Sequence, residues 1–311
     1  MQLFQQALHD QHELNVRSTF RVHPRVPRTV REPECIYVQD ATLNHFKEWV
    51  EGKQIDDTNP FQRYDRNEFW AYADYMHFGE IFGERTEAAA ALLDWSSIGI
   101  GDAPQPTFWL GSAGAHTPLH FDTYGTNVVV QLHGEKRWTL FPPSATELLK
   151  PTRIPFEESS VYSGLDIRQL DGHSATGAAA LCQTAVLRPG DVLFVPRHWW
   201  HFVECTSTAM SVNLWMDHPD DPSARVTEAL ARVVVTSMQE ALESQLGSEW
   251  LSPTEEEWTP DQAMEMLQIA VQSQSSAGDA PPQPPASFQD VLDALLAPTT
   301  LQHIARQLTR R

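Results

Sequence analysis

Apolar residues along this chain follow two rhythms, and the change between them marks its organisation. Between 105 and 218 they gather in short β-rich runs, 107–110, 127–132, 136–141, 185–187, 192–195, 201–205 and 210–216, set off by glycine, proline or polar turns. Many short strands with closely spaced turn signals predict a sandwich or barrel. The stretch 144–183 interrupts the series. Its Pro151-Thr152-Arg153-Ile154-Pro155 and Glu157-Glu158-Ser159-Ser160 are too polar for a core, and the length suits a functional insertion such as a substrate-facing lid. Past Pro222 the rhythm turns helical: Val226, Leu230, Val233, Val234 and Met238 form one stripe, and Met264, Met266, Leu267 and Val271 a second.

The first hundred residues read as mainly helical and mixed. Leu3, Phe4, Ala7 and Leu8 keep helical spacing, and Leu43, Phe46, Trp49 and Val50 do so again behind Asp40 as a cap. The aromatic stretch Phe69-Trp70-Ala71-Tyr72-Ala73-Asp74-Tyr75 is expected to pack as a core helix. Arg17, Arg21, Arg25, Arg28 and Arg31, interleaved with Pro24, Pro27 and Pro33, predict an extended, solvated arm. At the other end, 275–287 is a Pro/Ala-rich linker too poor in apolar residues to fold. Beyond it Phe288, Val291, Leu292, Leu295, Leu296, Ile304 and Leu308 make an amphipathic tail, either a docking segment on its own domain or a partner-binding helix.

Composition narrows the function classes. A net charge of −19, from 41 acidic against 22 basic residues, repels a phosphate backbone and makes nucleic acid an unexpected partner. Cys35, Cys182 and Cys205 form no CxxC pair and no even framework, as in a reducing compartment where cysteine serves as a small core residue. No run of about 18 apolar residues is present to span a membrane, and the first thirty residues hold no signal-like run. The expected location is cytoplasmic, nuclear, or both.

Candidate chemistry sits in His120-Phe121-Asp122. Residues i and i+2 of a strand point to one face, so His120 and Asp122 can reach one ion together. His201 supplies a third ligand after a turn (Arg188-Pro189-Gly190-Asp191), an apolar run and Pro196. Two imidazoles and one carboxylate occupy one face of an octahedron and leave the other open, the arrangement of non-haem Fe(II) oxygenases. By itself an HxD pair is weak evidence. His116 competes with His120 but lacks a carboxylate two residues on, His198 lies in the turn and is expected to be exposed, and His133 to face water.

The ordered motifs carry a more specific signal. They comprise Leu110-Gly111-Ser112, His116-Thr117-Pro118-Leu119-His120-Phe121-Asp122, Gly134-Glu135-Lys136-Arg137-Trp138, Phe141-Pro142-Pro143, Pro189-Gly190-Asp191, Trp200-His201 and Asn213-Leu214-Trp215. Together they resemble the JmjC family of Fe(II)- and 2-oxoglutarate-dependent dioxygenases over residues 60–218. The resemblance implies a mainly β, α+β fold: a double-stranded β-helix (the cupin-like jelly roll) with C-terminal helices. It divides the chain into an N-terminal helical or mixed segment (1–59), the JmjC domain (60–221), C-terminal helices (222–274), the linker (275–287) and the tail (288–311). The start lacks the proline-containing strand that usually opens the family, as in a fragment or short isoform.

The same resemblance implies Fe(II) on His120, Asp122 and His201 and a 2-oxoglutarate pocket using Thr117 and Lys136. Lys136 would pair with the distal carboxylate, and Asn127 and Asn213 would orient the co-substrate. The bland alternatives are a solvated strand lysine and two core hydrogen-bonding amides. Phe69–Tyr75, Pro151–Ile154, Glu157–Val161 and the run Phe194–His201 together resemble a branch of the family associated with a small heat-shock protein, which implies that partner besides a protein substrate. Asp122 stands where many lysine demethylases of the family carry Glu, and no reader domain or zinc finger is visible, so side-chain hydroxylation is favoured over demethylation. A scaffold with weak or no turnover is a third reading, and a cupin-like metal isomerase, which has no use for Lys136, a fourth. The helices after 222 offer a homodimer interface.

Overall fold

A computed structural model describes residues 17–25, 36–83, 86–91, 93–101, 105–169, 177–252, 255–275 and 287–309. The expected helix at 3–8, Cys35, most of the linker and part of the expected arm lie outside these residues. The chain forms two compact units, one built from 1–152 and 160–216, the other from 153–159 and 217–311.

The first unit is a pair of antiparallel sheets. Eight strands form its heart: β4 (Thr107–Gly111), β5 (His116–Asp122), β6 (Thr126–His133), β7 (Lys136–Phe141), β10 (Gln183–Leu187), β11 (Val192–Val195), β12 (Trp200–Cys205) and β13 (Ala209–Met216). The larger sheet contains the order β11-β6-β13-β4 and the smaller β10-β7-β12-β5, so the turns after β4, β5, β6, β10, β11 and β12 each carry the chain across to the other sheet. That alternation is what makes a double-stranded β-helix, or jelly roll. At the β6–β7 crossing Gly134 adopts φ +62°, and a Cβ there would fall 2.0 Å from the Thr208 carbonyl, so the turn that delivers Lys136 requires glycine.

Three strands extend the larger sheet: β3 (Phe69–His77), then β1 (Arg17–Pro24) and β2 (Ile36–Thr42). Two of these correct the sequence reading. The Phe69–Tyr75 stretch is strand, not helix. Trp70, Ala71, Tyr72 and Ala73 are all buried, so both faces are covered and no two-residue alternation betrays the strand. Residues 17–24 of the expected solvated arm are a paired strand with Phe20 and Val22 fully buried. Arg21 reaches Asp74 and lies 5.8 Å over the Tyr72 ring, which accommodates the charge that had suggested solvent. Helix α1 (Leu43–Glu51) is capped by Thr42 rather than Asp40, and buries Leu43, Phe46 and Trp49 as expected.

The insertion also departs from expectation. Strands β8 (Pro151–Thr152) and β9 (Ser160–Ser163) extend the smaller sheet, with β9 on β5, and Leu149, Phe156 and Val161 are buried. Polar residues dominate its composition, but Leu149, Phe156 and Val161 anchor it. Cys205 is buried as expected, whereas Cys182 is exposed.

The second unit is helical: α4 (Asp221–Ser237), α5 (Gln239–Leu246), α6 (Pro260–Ser275), α7 (Phe288–Leu295) and α8 (Pro298–Thr309) follow the short α2 (Phe78–Phe82) and α3 (Thr86–Ala90) of the first unit. Ala229, Val233, Ala263, Leu267, Ala270 and Val291 form its core. Val234, Met238 and Met266, assigned to the apolar stripes, are exposed. A second cluster joins Phe156 to Val235 and Trp250, and the backbones of Phe156 and Trp250 are hydrogen-bonded at 2.8 Å. Among the described residues no helix is long and apolar enough to cross a membrane.

Candidate metal centre

His120 and His201 face one another across the β5–β12 ladder as a register pair. Their rings lie 4.2 Å apart, and Asp122, two residues along β5, shares the face of His120. One ligand atom from each of the three lies within 4.8 Å of the others. His120 Nδ1 is 2.8 Å from the Pro118 carbonyl, and His201 Nδ1 is 3.0 Å from that of Trp199. A carbonyl only accepts, so each Nδ1 carries the proton and each Nε2 is left with a lone pair. Both imidazoles are thereby fixed in the tautomer and orientation that a metal needs.

The electrostatics agree. Burial, then the neighbouring His201, lower the pKa of His120 from its ordinary value to about 4, against the opposing pull of Asp122. The ring is neutral and available as a ligand well into the acid range. Asp122 Oδ1 lies 3.7 Å from His120 Nε2, while its Oδ2 accepts a 3.1 Å hydrogen bond from the Trp215 indole. Two neutral nitrogens and one carboxylate, buried and individually oriented, are a donor set that fits a divalent first-row cation.

The pocket beside them has about 410 Å³ of empty space, part of it open at the mouth, between the inner faces of the two sheets. All seven residues singled out in the sequence line it: Thr117, His120, Asp122, Asn127, Lys136, His201 and Asn213. Lys136 is not a solvated strand lysine; it is 1% exposed. Its ammonium donates to Ser211 Oγ at 2.7 Å and Tyr72 Oη at 3.3 Å, and among the described residues no carboxylate forms an ion pair with it. Burial pushes its pKa down. Thr117 is hydrogen-bonded to the Tyr72 hydroxyl, whose pKa burial raises well above the usual phenol value. Asn213 donates to Asn127 Oδ1 at 2.9 Å and accepts from the Trp109 indole at 2.7 Å, so the two amides form one chain of hydrogen bonds.

The rival histidines lie elsewhere. His116 is buried, with Nδ1 3.0 Å from the Gly114 carbonyl and Nε2 2.6 Å from Arg168. His198 is half-buried rather than exposed, packed on Phe121 with Nε2 3.2 Å from the Thr123 carbonyl. His133 faces water. Sequence reasoning did not single out Tyr72, Tyr75, Trp109, Trp138, Val203, Ser211 or Trp215 as site residues. Stepping by two from Lys136, His201 and Asn213 reaches Trp138, Val203, Ser211 and Trp215, so the strand period carried that signal. Tyr72, Tyr75 and Trp109 lie in or beside the misread β3 and had none.

The cupin-like domain family matches residues 21–222. The chain belongs to the cupin-like, JmjC-type family. This cupin-like chain is 44% identical over 246 residues to HSPB1-associated protein 1 of Rattus norvegicus, a match covering 77% of the chain and 51% of that protein. It is 38% identical over 303 residues to the HSPB1-associated protein 1 homolog of Danio rerio, covering 93% and 67%. More distant is lysine-specific demethylase 8 of Xenopus tropicalis, 33% identical over 127 residues, covering 39% and 28%. The chain spans about half the length of the mammalian relatives it matches.

Proposed function

We propose that this chain is an Fe(II)- and 2-oxoglutarate-dependent dioxygenase that hydroxylates a protein side chain and engages a small heat-shock protein. One observation carries the enzymatic reading: a buried lysine without a carboxylate partner shares a pocket with two oriented imidazoles and an aspartate. A buried ammonium bonded only to hydroxyls is poorly compensated, and an anion entering the pocket would complete it. A five-carbon diacid has one carboxylate for Lys136 and a second, beside a keto oxygen, for the metal face. Bound there, Fe(II) and 2-oxoglutarate would supply oxidation of a C–H bond by dioxygen, coupled to decarboxylation of the co-substrate.

The chain's own residues perform the supporting work. His120, Asp122 and His201 would hold the ion. Lys136, Tyr72 and Thr117 would bind the distal carboxylate, and the amide pair Asn127–Asn213 would fix the angle of the co-substrate. Trp138, stacked on His201 at 5.7 Å, and Val129 and Val203 give the pocket an apolar wall that limits water. The small heat-shock protein enters through the names of the relatives at 38–44% identity. Aspartate at 122, where many lysine demethylases of the family carry glutamate, favours hydroxylation over demethylation.

The test is spectroscopic. Under anaerobic conditions Fe(II) with 2-oxoglutarate gives a weak visible charge-transfer band in the wild type and none in Asp122→Ala. Incubation with oxygen and a purified small heat-shock protein then yields succinate and, on the substrate, a gain of one oxygen by mass spectrometry. Absence of both band and 2-oxoglutarate binding in the wild type would remove the enzymatic reading and leave the scaffold.

A further inference from the structure

Asp122 offers two oxygens, and their division is enforced by a residue outside the ligand set. Oδ1 faces His120 Nε2, while Oδ2 is held by the Trp215 indole N–H. An aspartate side chain has two free torsions, so unassisted it can present either oxygen, or both, to an ion. The indole bond fixes which oxygen is offered and disfavours two-oxygen binding that would consume an open position.

Trp215 is itself oriented from the mouth of the pocket. It sits on β13, two residues beyond Asn213 and in register with Asn127. The Tyr75 ring lies parallel to it, within 6° at 5.8 Å between centroids, and Trp109 packs 4.6 Å from Tyr75 and 6.3 Å from Trp215. Tyr75 occupies this place through an irregular backbone. Tyr72 and Tyr75 both line the pocket, yet residues three apart on a regular strand point to opposite faces. The register of β3 on β4 slips between Ala73 and Met76, and Tyr75 takes φ +52°, a left-handed conformation that aromatic residues rarely adopt. The bulge turns Tyr75 back onto the pocket side. A strained residue beside a ligand set, with 39% of its surface exposed, marks a demand other than packing.

We propose that Trp215 is a positioning residue for Asp122, and that Tyr75, turned inward by the β3 bulge, holds the indole in that role. This rests on the metal-site reading above. The test uses the full chain and Co(II) alone, whose visible bands report ligand geometry. Trp215→Phe keeps an aromatic ring and deletes only the N–H donor. Its Co(II) dissociation constant should rise roughly 10- to 100-fold and its bands should move, while the thermal midpoint of the metal-free protein holds. Tyr75→Phe should match the wild type. Tyr75→Gly, which relaxes the backbone and deletes the ring, should weaken Co(II) with the metal-free midpoint equal or higher. Wild-type affinity and spectrum in Trp215→Phe overturns the proposal. Should that variant not fold, Tyr75→Gly decides alone, weakened binding upholding it and wild-type binding overturning it. Asp122→Ala separates the two levels: if it keeps wild-type affinity the metal site itself fails, and if it loses Co(II) while Trp215→Phe does not, only the positioning role fails.

Discussion

At Lys136 burial and charge are at odds. Its ammonium is withdrawn from water, donates hydrogen bonds to the hydroxyls of Ser211 and Tyr72 and lies 5.4 Å over the Tyr72 ring. Burial therefore favours the neutral amine and lowers the folded-state pKa relative to the unfolded lysine. Between those two pKa values the unfolded chain binds more protons than the folded one, so the metal-free protein gains stability as pH rises through that interval. Lys136→Met removes this contribution and should raise the thermal midpoint of the metal-free protein at pH 7, with a flatter profile towards pH 10. On the proposed function the same change deletes the group that would meet the distal carboxylate and should weaken 2-oxoglutarate binding roughly 10- to 100-fold by calorimetry, with metal affinity retained. A midpoint that falls would show that Lys136 is a structural cation. At this scale the sequence was generous. Spacing alone brought His120 and Asp122 together, the turn and apolar run before it set His201 beside them, and the resemblance added Lys136. Tyr72 and Trp109 stayed hidden because their roles come from register across β3 and β4, which no local pattern encodes.

Elements show the complementary limit. Core strands bounded by turn residues were legible almost to the residue: 136–141 and 192–195 coincide with β7 and β11. Strands at the sheet's extension were not. β3 is covered on both faces, and β1 hides its alternation behind arginines that find partners only in the folded state. Cations of the helical unit behave likewise. Arg232 of α4, 5% exposed, donates to Glu158 at 2.9 Å and Glu255 at 2.6 Å, and its guanidinium lies 4.3 Å over Trp258 and 5.1 Å over Phe156. Arg153 makes a matching pair with Glu228. Truncating Arg232 leaves the nearly buried Glu255 carboxylate with the Glu158 amide as its remaining hydrogen-bond donor and empties the space between two rings. Arg232→Ala should cost about 3–5 kcal/mol in urea unfolding of the helical unit. Arg232→Met, which refills the space, should cost less. Equal losses would assign the effect to charge alone.

Across the whole molecule stability is unevenly distributed, and the terminal helix is the sharpest case. Leu301, Ile304 and Leu308 lie on one side of α8 at spacings of three and four, the pattern of a buried face, yet residues 301–309 are all exposed. A helix of 12 residues gains too little from propensity to persist alone in water, since nucleation is costly and each further residue adds little. α4 and α6, by contrast, share a core through Ala229, Val233, Ala263 and Leu267. Amide exchange should therefore divide the helical unit. Amides of 221–237 and 260–275 should exchange only through opening of that core, whereas those of 301–309 should exchange within seconds at neutral pH. Deleting 298–311 should accordingly leave the thermal midpoint unchanged. Strong protection of 301–309 in the isolated protein would mean that the stripe is already covered, most simply by a second copy of the chain, and dilution would then release it.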